Sequence, residues 1–301
     1  MAAGIDVEVG GRQLRLSNLE KVFYPQSGFT KAEVIDYYTR IGPVLVPHMK
    51  GRPLTLKRYP NGVQEKFFYE KNCPKHRPDW VQTAAVFSRQ NDANIDFCLC
   101  NDIPTLVWAA NLASIELHTS LALAKQIKRP TMVVFDLDPG APATIKECCA
   151  VALRLRNMFR ELGLDCFAKT SGSKGLQVYV PLNTPVSYED TKPFALAVAQ
   201  HLEQETPKTV TSIMKKDLRP GKVFVDWSQN DDHKTTVCVY SMRAREDPTI
   251  STPVSWDEVE AHATGRLETL AFQAGEVLAR VAREGDLFAP LLKLKQRLPA
   301  L

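Results

Sequence analysis

The stretch Thr131 to Gly140, TMVVFDLDPG, sets two carboxylates at the end of an otherwise apolar run. Met132, Val133, Val134 and Phe135 predict a buried strand, and alternation along it puts Asp136 and Asp138 on one face before Pro139 and Gly140 stop it. Two carboxylates that close cannot both be desolvated as bare anions, and their natural partner is a hard divalent cation bound through oxygen. That is half of a two-metal site. The competing reading is a solvated strand end that carries Asp-x-Asp before a Pro-Gly turn, and the motif alone does not separate the two.

With 301 residues, 44% apolar and 24% charged, the chain has room for one large domain or two modest ones. Its formal charge of +4 sits in residues 1–60, which hold nine basic and five acidic residues. A basic N-terminal face suits a polyanionic partner, although so small an imbalance also fits an ordinary surface. Seven cysteines are an odd number without framework spacing, and Met1 to Gly11 does not resemble a signal peptide. The expectation is a reduced, cytoplasmic protein. No run has the length needed to cross a bilayer, and there is no internal repeat.

Residues 5–16 alternate as a hairpin around Gly10-Gly11. Thr30 and Glu33 fit a capping box, and Val34, Tyr37, Tyr38 and Ile41 follow at helical spacing until Gly42-Pro43, where the helix is expected to end. Lys21 and Lys31 flank a Tyr-Pro-Gln-Ser-Gly turn, so two ammonium groups and a helix N-terminus have the spacing to meet one phosphate, but spacing alone favours two surface lysines. Leu54 to Arg58 and Lys66 to Tyr69 predict a hairpin through Pro60-Asn61-Gly62. It sets Lys57 and Arg58 beside Phe67, Phe68 and Tyr69, a mixture that suits nucleic acid and suits core packing equally. Cys73-Pro-Lys-His76 and Cys98-Leu-Cys100 lack the pair-and-pair spacing of a zinc site, and no zinc is expected. Pro104 to Leu117 reads as an apolar helix with Glu116 and His118 at its C-terminal end, the histidine being either a core residue or a phosphate donor.

Beyond the Asp-x-Asp strand, Ile145 to Leu162 is an amphipathic helix stopped by Gly163. A strand over Cys166 to Thr170 leads through Ser171-Gly-Ser-Lys-Gly175 into another, in which Leu176, Val178 and Val180 alternate. Such a loop can offer N–H groups and an ammonium to a triphosphate, yet Ser/Gly loops are also common hairpin filler. It lacks P-loop spacing and is followed by a strand, which argues against an ordinary nucleotide-hydrolase fold. A second helix covers roughly Lys192 to Glu205. Arg219-Pro-Gly-Lys222 then turns the chain into Val223 to Ser228, where Asp226 lies among apolar neighbours and should be a third carboxylate. Lys234 to Tyr240 predicts a strand, Arg243 and Arg245 suit phosphate contacts, and the tail from Trp256 is helical and polar.

Together DLD at 136–138, SGSKG at 171–175 and VDWSQN at 225–230, with His118 before and Arg243 after, resemble the archaeo-eukaryotic primase superfamily. More narrowly, LSNLEKVFYP, GRPLTLKRYPNG, FFYEK, ELH, VFDLDPG, TSGSKGL and GKVFVDWSQN are similar to the polymerase domain of the bacterial end-joining ligase D and its stand-alone relatives. The similarity runs from about residue 14 to residue 285. It does not extend to the ligase or 3′-phosphoesterase modules, so joining and end-trimming are not implied.

The resemblance implies an α/β fold of two packed sheets with flanking helices, the catalytic sheet being RNA-recognition-motif-like. It implies a single catalytic domain over 1–301, with a DNA-end-binding part to about residue 125, a catalytic core over about 126–250 and a helical tail. Template-dependent nucleotidyl transfer would use two Mn2+ or Mg2+ ions held by Asp136, Asp138 and Asp226. His118, Ser171, Ser173, Lys174 and Arg243 would hold the triphosphate, with Arg219 close to it. Lys21 and Lys31, with Asn18 nearby, would bind a downstream 5′-phosphate. Phe68 and Tyr69 would stack on the template side, Tyr69 standing where phenylalanine is common, and Lys57 and Arg58 would line the same path. The implied partners are gapped or broken DNA, nucleoside triphosphates, Ku and a separate ligase. Three readings compete: a de novo primase with the same carboxylates, a non-catalytic nucleic-acid-binding protein on the same fold, and a metal-dependent hydrolase that releases nucleoside monophosphate.

Overall fold

The computed structural model describes residues 4–88 and 92–299. In chain order its strands and α-helices begin with the hairpin β1 (Ile5–Val9) and β2 (Arg12–Leu16), then β3 (Val22–Tyr24), β4 (Phe29–Thr30) and α1 (Lys31–Met49). Next come β5 (Leu54–Arg58), β6 (Phe68–Glu70), β7 (Thr83–Ser88), β8 (Ala93–Cys98), α2 (Ile103–Asn111) and β9 (Ser114–Thr119). The middle of the chain supplies β10 (Met132–Pro139), α3 (Ile145–Glu161), β11 (Phe167–Thr170), β12 (Leu176–Pro181) and α4 (Tyr188–Glu205). β13 (Val210–Thr211), β14 (Val223–Asp226), β15 (Thr236–Val237), β16 (Pro253–Val254), α5 (Trp256–Ala263) and α6 (Ala274–Glu284) complete it. The chain divides into two compact units, one of residues 1–120, 235–251 and 272–285, the other of residues 121–234, 252–271 and 286–301.

In the second unit the sheet order is β13-β14-β10-β12-β11-β16. β10, α3, β11, β12, α4 and β14 run as β-α-β-β-α-β, with the short β13 interposed before β14, and their strands lie in the order β14-β10-β12-β11, all antiparallel. This is the split-βαβ arrangement, so the RNA-recognition-motif-like expectation holds. Phe135 packs on Phe159 of α3 with ring centroids 5.3 Å apart, and Leu137 is fully buried. Alternation then leaves Asp136 and Asp138 on the opposite face.

The first unit carries the sheet β15-β9-β5-β8-β7, with β6 paired to β5. Thr30 and Glu33 form the capping box that starts α1. The helix does not end at Gly42-Pro43, however, but continues to Met49 with Pro43 and Pro47 inside it. An interior proline costs about 3 kcal/mol, whereas Leu45, Val46 and Met49 are buried beyond the first proline, each such side chain contributing about 1.5–3 kcal/mol. Gly42 itself admits Ile103, whose Cγ1 would lie 3.0 Å from any Cβ there.

The apolar run read as one helix over Pro104 to Leu117 is instead α2 followed by β9. Ala113, at φ +63°, makes the reversal between them. Glu116 and His118 therefore lie on a strand, two residues apart on one face. The strand expected over Lys66 to Tyr69 starts at Phe68, the helix expected from Lys192 starts at Tyr188 behind a Ser187 and Asp190 capping box, and the strand expected over Lys234 to Tyr240 shrinks to Thr236–Val237. The reduced-cysteine expectation also fails at one pair. Cys73 N–H donates to Asp96 O at 2.6 Å, which lays that segment beside β8 and brings Cys73 within a 4.9 Å Cα distance of Cys98, to which it is disulfide-bonded. Among the described residues no helix is long and apolar enough to cross a membrane.

Candidate active site

The three predicted aspartates converge on adjacent strands. Asp136 of β10 stands directly opposite Asp226 of β14, and Asp138 follows on the same face. The same lateral row continues through Gln177 of β12 to Lys169 of β11, so four polar side chains cross the sheet in register. Lys169 is almost fully buried and its Nζ donates to Gln177 Oε1 at 2.5 Å, to which the Tyr179 hydroxyl also donates at 3.2 Å. With the amide oxygen thus occupied, the Gln177 nitrogen is the end available to hydrogen-bond the Asp136 carboxylate.

Burial, then the neighbouring Asp138 charge, push the Asp136 pKa up to about 7, against the opposing effects of Gln177 and Lys169. Asp226 is held differently. Its Oδ1 accepts from the Ser228 N–H at 2.9 Å and the Ser228 hydroxyl at 2.6 Å, and Oδ2 accepts from Gln229 Nε2 at 2.8 Å. Lys234 Nζ donates to Ser228 Oγ at 2.7 Å and so braces that turn. An all-oxygen set of three carboxylates, one destabilised as an anion by the others, fits hard divalent cations. Among the described residues, the group of potential ligand atoms that all lie within 4.8 Å of one another is a different one, Asp231, Asp232 and His233. Asp231 there already pairs with Lys192 at 2.5 Å and with His233.

The Ser171 to Gly175 loop closes on itself. Ser171 N–H donates to Gly175 O at 2.9 Å, while its hydroxyl accepts from the N–H groups of Ser173 and Gly175 at 3.2 and 3.1 Å. Ser171 is buried, Ser173 half-buried and Lys174 exposed. Arg219 lies over the Phe224 ring at 3.8 Å and donates from NH2 to Met214 O at 2.5 Å, while its Nε is buried without a hydrogen-bond partner. Asn230, the last residue of the VDWSQN motif, has a definite task. Its Oδ1 accepts from Val134 N–H at 2.9 Å and its Nδ2 donates to Val134 O at 2.8 Å, continuing the ladder beside β10 where β14 has ended.

In the first unit a second polar cluster surrounds Glu116, which is 2% exposed. Lys57 of β5 faces it in register and meets Oε1 at 3.3 Å, and His118 Nε2 lies 2.9 Å from Oε2. Arg243 Nε lies 3.4 Å from Oε2. Against its burial, the His118 hydrogen bond and then the neighbouring charges, Arg243 foremost, hold the Glu116 carboxyl far below the ordinary carboxylate range. Tyr24 and Tyr38 fix the chain that carries the arginine, through Tyr24 OH to Arg243 O at 2.9 Å and Met242 N–H to Tyr38 OH at 3.0 Å. Sequence reasoning noted Glu116 but gave it no role. The available signal was a carboxylate between Ile115 and Leu117 in an apolar strand, the same signal that identified Asp226.

The remaining predicted residues fall on two patches of this unit. Phe67, Phe68 and Tyr69 are 49%, 44% and 58% exposed, which decides against core packing for these rings. Lys57 Nζ stands 4.4 Å from the Phe67 ring centre and 5.5 Å from that of Tyr69, and the Arg58 guanidinium lies 5.1 Å from that of Phe68. Lys21 Nζ donates to Asn61 Oδ1 at 2.7 Å and Lys31 Nζ to Ser17 O at 2.6 Å. Asn18, at φ +53°, makes a turn closed by Lys21 N–H to Asn18 O at 3.1 Å, and Lys31 N–H donates to Lys21 O at 2.8 Å. Lys31 is not a surface lysine. Burial first, then the Lys21 and Arg58 charges, lower its pKa to about 8.

Residues 30–288 match the sequence profile of the family described as LigD, primase-polymerase domain. The chain is 44% identical over 281 residues to the multifunctional non-homologous end joining protein LigD of Mycolicibacterium smegmatis, covering 93% of this chain and 36% of that protein. It is 30% identical over 274 residues to the bifunctional non-homologous end joining protein LigD of Bacillus subtilis, covering 91% and 43%. The chain thus spans less than half the length of these relatives. Among solved structures it is similar to the polymerase domain from Mycobacterium tuberculosis Ligase D in complex with DNA, with a TM-score of 0.87 and 38% identity, covering 94% of this chain and 99% of that one.

Proposed function

The chain belongs to the LigD primase-polymerase domain family and is a primase-type nucleotidyltransferase, and we propose that it extends a primer 3′-hydroxyl at gaps or breaks with a downstream 5′-phosphate in end-joining repair. The observation that carries this is the register of Asp136 against Asp226, with Asp138 on the same face. Two divalent cations held by these three residues, Mn2+ or Mg2+, would supply activation of the 3′-hydroxyl and charge stabilisation of the leaving pyrophosphate. Ser171, Ser173, Lys174 and Arg219 hold the triphosphate, and His118 and Arg243 are further nucleotide-phosphate ligands. Phe68 and Tyr69 stack on template bases, with Lys57 and Arg58 beside them for phosphate. Residues 1–301 act as one catalytic domain in the bacterial cytoplasm, working with Ku and a separate ligase.

Asn18, Lys21 and Lys31 form the 5′-phosphate pocket, since a dianionic strand end gains more than an internal phosphodiester from two ammonium groups at a helix N-terminus. Primer extension and binding on a gapped duplex, with the 5′-phosphate present or absent, test the proposal. We expect about tenfold or tighter binding of the phosphorylated substrate, weakening with salt. The preference should be greatest near pH 7, where Lys31 is charged and the strand-end phosphate is dianionic, and should fall as pH rises through about 8, the value to which burial lowers this group. Lys21→Ala with Lys31→Ala should erase it. A preference that survives in the double variant sinks the pocket.

A second expectation concerns the sugar. Hydroxyls in the Ser171 to Gly175 loop can satisfy a 2′-hydroxyl, and a site built around a hydroxyl rejects its deoxy analogue more strongly than an apolar pocket does. ATP should be favoured over dATP by about tenfold or more in kcat/KM opposite the same template base. Equal efficiencies would remove the loop from sugar recognition.

A further inference from the structure

Four hydrogen-bond donors and the Arg243 guanidinium surround the Glu116 carboxylate, from three segments of the first unit. Oε1 faces Lys57 Nζ at 3.3 Å, the Tyr59 hydroxyl at 3.4 Å and the Ala244 N–H at 3.2 Å, and Oε2 faces His118 Nε2 at 2.9 Å and Arg243 Nε at 3.4 Å. A carboxylate this buried persists only when its partners are fixed around it. From this geometry we propose that Glu116 is a positioning residue, one that orients His118 and Arg243 toward a nucleotide's phosphates, with Lys57 as a further cation held against its carboxylate, and thereby sets nucleotide affinity. The inference rests on the assignment of His118 and Arg243 to the nucleotide.

With the carboxylate ionised, the His118 ring nitrogen facing it carries hydrogen, so Nε2 donates to Glu116 and Nδ1 is the nitrogen left to meet a ligand. His118 is faced by Glu116 on its own strand, Lys57 from β5, Arg243 from the segment after β15, and the Tyr69 ring of β6 at 6.2 Å. Burial and the two cations disfavour its protonated form, and Glu116 alone among these groups favours it. The net balance still lies below the ordinary histidine value, so Nδ1 takes up the proton it needs to donate only when an incoming phosphate adds its charge to that of Glu116, and without Glu116 it would meet the phosphate as a lone pair. Lys57 and Arg243 would likewise repel each other across a neutral centre and turn away. With Glu116 ionised, the two cations outnumber it by one, a balance suited to an incoming anion.

Glu116→Gln keeps the shape and removes the charge. In the protein without nucleotide, the His118 titration followed by NMR should fall by about one unit or more. In steady-state extension the KM for ATP should rise by about tenfold or more, and kcat should change less than KM. An unchanged His118 titration, or an unchanged KM in a folded variant, overturns the proposal. If Glu116→Gln does not fold, Glu116→Asp decides. Its carboxylate keeps the His118 titration within about half a unit but falls short of Arg243 and Lys57, so KM should still rise severalfold, and an unchanged KM there overturns the inference. Wild-type protein that adds no nucleotides refutes the polymerase reading instead, and the His118 titration remains legible in that case.

Discussion

Asp136→Ala and Asp226→Ala each reduce primer extension by about 10³-fold or more, while binding to a gapped duplex stays within about threefold of wild type. The two side chains stand opposite each other on adjacent strands, so either deletion removes one of the ligands proposed for the same pair of cations. The cost falls on the transition state because charge develops there on the attacking and leaving oxygens. In the proposed function DNA affinity rests on cations elsewhere in the chain, and each deletion also removes a negative charge, which works against any loss of binding. The two variants should differ in stability. Asp136 is a carboxylate that burial and like charge push up to about 7, so its removal relieves strain at neutral pH. Asp226 accepts three hydrogen bonds from its own turn, so its removal strands the Ser228 and Gln229 donors and lowers stability by about 1–3 kcal/mol. Extension by either variant at the wild-type rate in Mn2+ would remove the aspartates from the reaction, and gel-shift titration checks the binding half.

What could be read from the sequence followed from local periodicity. The β10 run, α3 and the hairpin of β1 and β2 each announce themselves within one window, and the three aspartates stood out because a carboxylate in an apolar strand is costly wherever it lies. The failures came where a distant contact outweighed the local signal. Pro43 should stop a helix, and it does not because the next two turns bury Leu45, Val46 and Met49. The run from Pro104 is apolar enough for one long helix, but the reversal at Ala113 turns it into a strand, and only that strand puts Glu116 and His118 on one face. Register between distant strands was likewise invisible. Nothing local to Lys169 or Gln177 indicates that they share a row with Asp136 and Asp226, nor does anything near Cys73 indicate that it lies beside Cys98. The Lys31 environment shows the same limit, since a helix-start lysine looks solvated until Ser17 and Lys21 are brought beside it.

Gly175→Ala should lower stability by about 1–3 kcal/mol and extension by about 10²-fold, an effect out of proportion to one methyl group. A Cβ at this position would lie 2.1 Å from Leu137 O and 3.4 Å from Pro139 Cδ, and the first of these atoms is backbone that no rotamer change can move. Leu137 sits between the two carboxylates of β10, so relief requires either the loop to lift or the strand to shift beneath Asp136 and Asp138. Lifting the loop breaks the bonds that Ser171 makes to the N–H groups of Ser173 and Gly175, and with them the placement of Lys174. Shifting the strand moves the aspartates relative to Asp226. Either displacement approaches an ångström, which is enough to cost about two orders of magnitude in a reaction that depends on aligned oxygens. Gly140 is under the same constraint from the other side, its Cβ position being 2.1 Å from Arg219 O, so Gly140→Ala should behave alike. Gly275→Ala is the control. That glycine lies in α6 with open space around its Cβ position, and alanine there should hold activity and raise stability by about 0.5–1 kcal/mol. Denaturant titration and primer extension on the three variants decide the matter, and a Gly175→Ala protein with wild-type extension would show that neither the loop nor the strand end must keep its position for nucleotide addition.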